Sequence, residues 1–163
     1  MNENNEIKLE GCETICGVKE KIIKLNEEEV REIYRNLTAG KDSVETLRPM
    51  SEDGAFREVL LRQDKEYSEM CSRVEGYAME NGYDLKELSP MAKGMMHLSA
   101  TFNALTDKSS SKLASIMLQG INMGVISITK IVNKLHKEGD RCPLAEDMLD
   151  LLERNAVDMR KFL

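Results

Sequence analysis

Residues 118–131 read LQGINMGVISITKI, an apolar run rich in β-branched side chains and broken by two glycines. By propensity alone the run would suit a buried strand, and by hydropathy half a membrane span. The spacing decides against both. Ala114, Leu118, Ile121, Val125, Ile128, Val132 and Leu135 repeat at intervals of 4, 3, 4, 3, 4 and 3, which is the period of a helix and not the alternation of a strand. The helix extends from about Lys112 to Lys137. Lys112, Lys130 and Lys134, with Gln119 and Asn122, argue against a membrane span, which needs about 20 nearly uncharged residues. The mean apolar direction lies near Ile121 and Ile128, and Gln119 falls close to the opposite side. Met123 and Ile126 widen the apolar arc, so this helix is expected to be the most buried. Gly120 and Gly124 form a G-x-x-x-G that is expected to seat a bulky neighbour from another helix.

Outward from this stretch the same period recurs. Asn26 with Glu29 resembles a capping box, followed by Val30, Ile33, Tyr34, Leu37, Val44 and Leu47, with Gly40 interrupting and Pro49 ending the helix. The run "AGKDS" is not a phosphate loop, because Arg35 stands where the first glycine would be required. Ser51 is expected to cap a second helix carrying Phe56, Val59, Leu60, Tyr67, Met70, Cys71, Val74, Tyr77 and Ala78, with Gly82 as its stop. Gln63 and Asp64 are polar on what should be a core-facing turn. Ser89–Pro90 opens a shorter helix with Met91, Met95, Leu98, Phe102 and Leu105 in a seam. Cys142–Pro143 opens the last helix, with Leu144, Met148, Leu151, Leu152, Ala156, Met159 and Phe162 along one side. The fold class is therefore all-α: four long helices plus one shorter one. Residues 1–25 form a polar lead-in, either a tail or a short helix packing on the body, and residues 26–163 a single domain.

Composition bounds the function. A chain of 163 residues with 41% hydrophobic and 32% charged residues fits a soluble globular domain and not a disordered one. Eleven Met against three Phe and no Trp suit helix packing. The net charge of −6 and the lack of a basic cluster exclude a phosphate-backbone binder, so no nucleic-acid partner is expected. The acidic N-terminus MNENNEIKLEG has no secretory pattern, and the expected location is cytoplasmic. Of the four cysteines, Cys12, Cys16, Cys71 and Cys142, only Cys12 and Cys16 stand close in sequence, and no second ligand pair follows at zinc-site spacing. They read as free thiols, with a redox response through Cys12 and Cys16 as the sharper alternative.

On the segments GKDSVETLRPM (40–50), LLRQDKEYSEM (60–70), SPMAKGMMHLSATFNALTD (89–107), SSKLASIMLQGINMGVISITK (110–130) and LAEDMLDLLERNAVDMRKFL (144–163), the chain resembles the small ferritin-like helical bundles of uncharacterised bacterial proteins, particularly of Clostridium-type organisms. The resemblance implies an antiparallel four-helix bundle with an extra short helix. That superfamily is known for carboxylate-bridged di-iron sites, which need a Glu from each of two helices and a Glu-x-x-His from each of the other two. No Glu-x-x-His occurs here. The nearest matches are Asp64-x-x-Tyr67 and Gln119-x-x-Asn122, and neither offers an imidazole. No catalytic residue, metal ligand or cofactor is therefore expected. His136 lies at a helix end, and His97 sits one step off the Met91–Leu105 seam. Gln63, Asp64 and His97 are the candidates for a degraded small-ligand site. The expected function is a non-catalytic interaction or structural protein, with a homo-oligomer or a protein partner and no membrane. The alternative is a metal or small-ligand binder at the degraded site.

Overall fold

The computed structural model describes residues 21–85 and 105–163. The Met91–Leu105 seam up to Ala104, the Ser89–Pro90 cap, His97, Cys12 and Cys16 lie outside the described residues. Among the described residues the fold is all-α apart from one pair of two-residue strands. Helix α1 (Glu27–Leu47) starts at the capping box read from sequence: the Asn26 side chain accepts from the Glu29 N–H at 2.9 Å, and the Glu29 carboxylate accepts from the Asn26 N–H at 3.0 Å. A 3-10 turn at Arg48–Met50 ends it at Pro49.

Helix α2 (Gly54–Asn81) is capped by Asp53, not by Ser51. The Asp53 carboxylate accepts from the N–H groups of Ala55 and Phe56, and as an anion it also complements the helix dipole. Ser51 instead is buried and accepts from the Asp53 N–H, so it shapes the turn that presents the cap. Gly82 ends α2 at φ +70°, a left-handed position that glycine adopts without penalty. Helix α3 (Ser110–Lys137) and helix α4 (Pro143–Arg160) follow, the first capped by Ser109 and the second opened by Pro143.

Side-chain pairs give the directions. Tyr34 O–H donates to Glu75 at 2.8 Å and Arg48 lies 3.8 Å from Asp64, so α1 and α2 run antiparallel. Glu29 pairs with Lys134 at 2.8 Å, and Asn36 lies against Gly124, so α3 opposes α1. Arg62 pairs with Asp158 and Arg73 with Asp147, so α4 opposes α2. His136 meets Glu146 at 3.2 Å, and Ser111 O–H donates to the Leu163 carbonyl at 3.3 Å, so α3 and α4 also oppose. Each helix packs on two neighbours, α1 and α4 run one way, and α2 and α3 the other. The chain leaves α2 beside the start of α1, where Tyr83 O–H donates to the Leu25 carbonyl at 2.9 Å. It enters α3 at the opposite end, where Ser110 O–H donates to Asp53 at 2.9 Å.

The end of the polar lead-in is part of this assembly. Strand β1 (Lys21–Ile22) pairs in parallel with strand β2 (Asp140–Arg141), which links α3 to α4. The Leu25 N–H donates to the Tyr77 hydroxyl at 2.9 Å, and the Leu25 side chain is fully buried. The segment is extended rather than helical, and two residues are too short a strand to register as alternation in sequence.

Helix α3 departs from its expected burial. Met123 is 73% exposed and Ile126 59% exposed, so the wider part of the apolar arc faces outward. The buried set includes Leu113, Met117, Ile121, Gly124, Ile128, Ile131 and Leu135, turned toward α1 and α4. The more buried helix is α4, with eight buried residues of eighteen against nine of twenty-eight in α3. A Cβ on Gly124 would stand 2.9 Å from Asn36 Oδ1 and 3.1 Å from Leu152, while a Cβ on Gly120 would meet nothing within 4 Å among the described residues. By length and composition α3 is also apolar enough to cross a membrane, and here its buried side lines the core.

Candidate functional site

The buried polar residues among those described are Ser51, Gln63 and Asn155. Ser51 serves the α2 turn, which leaves Gln63 on α2 and Asn155 on α4 as the polar interior. The Gln63 amide donates to the Asn155 backbone carbonyl over a long 3.4 Å. Gln63 Oε1 and both polar atoms of the Asn155 amide are buried without a hydrogen-bond partner. One turn along α2, Tyr67 is 1% exposed. Burial pushes its phenol up to about 12, opposed by the Asn155 amide beside it and reinforced by the charge of Glu66, so it keeps its proton and remains a donor.

Gly40 on α1 is what admits Tyr67. A Cβ at Gly40 would lie 2.7 Å from Tyr67 Cζ and 2.8 Å from Cε1. The glycine that interrupts the α1 pattern is therefore the seat of the ring. Gly40, Gln63, Tyr67 and Asn155 bring three helices to one uncharged polar layer.

Of the residues singled out from sequence, Gln63 belongs to this layer and Asp64 does not. Asp64 turns to the edge of the α1–α2 seam, 3.8 Å from Arg48. On a helix adjacent residues point about 100° apart, and at this turn Gln63 faces the core while Asp64 is only half-buried. Asp64 and Tyr67 therefore do not converge, and Gln119 and Asn122 are both exposed. His136 sits at the surface against Glu146. Tyr67 was legible only as an apolar stripe position, and Asn155 was missed. Its signal was its phase, four residues beyond Leu151 and four before Met159 on the buried side of α4.

The other titratable clusters lie nearer the surface. At the α1–α3 seam, burial works against the charged form of Glu32, but bonds from Ser127, Arg35 and Asn36 outweigh it and hold the carboxyl below its usual range. At the α1–α2 seam the Cys71 thiol is pushed up to about 11 by burial and by Glu75, and Asp42 is raised by burial and by Glu45. Burial also raises the Cys142 thiol. Neither described cysteine is a thiolate nucleophile. An open groove of ≈ 600 Å³ between α2 and α4 is lined by Arg62, Glu66, Asp150, Glu153, Arg154 and Asp158, with both signs interspersed. Among the described residues, no group of three His, Cys, Asp or Glu side chains is placed to hold a metal ion. Comparison of the chain with protein families, curated proteins and solved structures finds no match.

Proposed function

We propose that the chain is a ferritin-like antiparallel four-helix bundle with no di-iron site, acting as a non-catalytic interaction protein in the cytoplasm. The up-down-down-up course of the helices, with one connection from end to end, supports the ferritin-like reading. The observation that carries the functional reading is the interior itself. A di-iron centre needs several carboxylates to balance its charge, and among the described residues the buried polar side chains between α2 and α4 are two neutral amides. Free thiols at Cys71 and Cys142 support a reducing compartment.

The interaction surface in this reading is the outer face of α3, where Met123 and Ile126 are exposed together. The second reading, a small-ligand binder, is favoured by the unpartnered amide atoms of Gln63 and Asn155. Light scattering on protein purified without chelators, combined with elemental analysis, tests both. Self-association above the 18.5 kDa monomer mass, reversed by Met123→Lys and Ile126→Lys with helix content unchanged, is the expected result. Stoichiometric iron, manganese or zinc would overturn the non-metal reading. A concentration-independent monomer would overturn self-association through α3.

A further inference from the structure

We propose that Gln63, Tyr67 and Asn155 form an internal binding site for water, holding at least one long-lived molecule between α2 and α4. The three side chains are 0%, 1% and 0% exposed, so bulk solvent does not reach them. Three of their polar atoms, Gln63 Oε1, Asn155 Oδ1 and Asn155 Nδ2, make no protein hydrogen bond of ordinary length, although the Asn155 amide stands beside the Tyr67 phenol. Buried polar groups are almost always paired, because an unpaired one keeps the whole desolvation cost with nothing in return. The one bond that joins α2 to α4 here, from Gln63 Nε2 to the Asn155 carbonyl, is at 3.4 Å longer than the usual range of about 2.7–3.2 Å and therefore weak.

The chemistry of the lining selects the occupant. The site offers acceptors in Gln63 Oε1 and Asn155 Oδ1, and donors in the Asn155 amide and the Tyr67 hydroxyl, which keeps its proton. A bound molecule must therefore both donate and accept, and two to four such partners are what a buried water makes. None of the three side chains carries a charge. A metal cation or an anion would stay uncompensated in this interior and pay heavily for its lost hydration. An apolar molecule would leave the amides unpaired. Gly40 bears on the same layer from α1: by seating the Tyr67 ring it lets the phenol stand at the level of Asn155. This inference concerns the interior and does not depend on the interaction reading of α3.

Water–protein NOE and ROE spectra of the full chain test it, read at the Gln63 and Asn155 side-chain amide protons. The expected result is cross peaks from a water with a residence time beyond a nanosecond in the wild type. The same water is expected to give cross peaks at the Tyr67 ring protons, and the double variant Gln63→Leu/Asn155→Leu, which replaces both amides with apolar groups of similar size, is expected to lose the water peaks at Tyr67 while keeping the backbone amide spectrum. Wild-type amide protons without water cross peaks would overturn the proposal, whether or not the double variant folds. Persistence of the same long-lived water in a folded double variant would overturn it equally. As a second variant, Asn155→Ser keeps a donor and an acceptor and is expected to retain the water signal at Gln63; loss of that signal would refute the assigned lining.

Discussion

Replacing Gly40 with alanine sets two effects of opposite sign against each other. Position 40 lies inside α1, so alanine gains about 1 kcal/mol of helix propensity over glycine. Against that, the new methyl would sit 2.7, 2.8 and 3.0 Å from Cζ, Cε1 and Oη of Tyr67. The ring is 1% exposed and cannot leave its place without displacing its neighbours. Overpacking of a well-filled core costs about 1–3 kcal/mol, and a rigid buried ring belongs in the upper part of that span. The net expectation is a loss of about 1–2 kcal/mol, or about 2–8 °C in Tm for a chain of this size. Gly120→Ala is the matched control, because a Cβ there meets nothing within 4 Å among the described residues. It is expected to stabilise by up to about 1 kcal/mol through propensity alone. Urea unfolding followed by circular dichroism at fixed pH gives both values. The cycle Gly40→Ala with Tyr67→Leu isolates the contact: once the ring is gone, the alanine should help rather than harm. A Gly40→Ala protein as stable as the wild type, or two alanine variants shifted alike, would refute the seating of Tyr67 on Gly40.

Three further outcomes follow from local features. Leu25→Ala should destabilise by about 2–5 kcal/mol in a urea melt, as for any fully buried leucine; an effect within error would mean the lead-in does not dock. The Glu146 carboxyl is held below its usual range by the Arg141 guanidinium, with burial opposing and His136 assisting. Its folded pKa is lower than its unfolded one, so its contribution is present above the unfolded value and is lost as pH falls through the folded one. Thermal melts from pH 6 to 3 should fall less steeply for Glu146→Gln than for the wild type, and parallel curves would contradict this. For Cys71, with its thiol at about 11, the rate of alkylation in a variant lacking the other three cysteines should still climb above pH 9.5; a plateau near pH 8.5 would rule out the buried thiol.

The helices were legible because each has start and stop chemistry of its own. Asn26 and Glu29 make the box their spacing implies, Pro49 and Gly82 stop α1 and α2, and the 4, 3 repeat of residues 114–135 is a helix and not a strand. What sequence could not supply is which helix faces which. Met123 and Ile126 are as apolar as Ile121 and Ile128, and only the positions of α1 and α4 decide that one pair is covered and the other is not. Gly40 looked like a cost to α1 because the side chain that needs the space comes from α2. Ser51 and Asp53 are both good caps, and the geometry of the 3-10 turn chose the second. Gln63 stood out as polar in an apolar phase, whereas Asn155 occupies the same kind of phase on α4 and becomes informative only once the two are neighbours.

The uncharged layer also bears on how one register is selected. Leucine, isoleucine and methionine faces tolerate exchange and sliding, since apolar contacts are not directional. Two features of α2 are directional. If α2 slid one turn along α1, Tyr67 would face position 36 or 44 in place of Gly40. Unlike Gly40, Asn36 and Val44 both carry side chains that would meet a ring set against their own backbone. If α2 slid one turn along α4, Gln63 would face Leu151 or Met159 in place of Asn155 and lose its polar neighbour. Each slip would either overfill the core or strand a buried amide, and both penalties fall on the same two turns of α2. The polar interior therefore costs some stability relative to an apolar core of the same shape, while making the competing registers costlier still. A carboxylate pair in the same place could enforce register too, but only with a counter-charge beside it; amides do so without one.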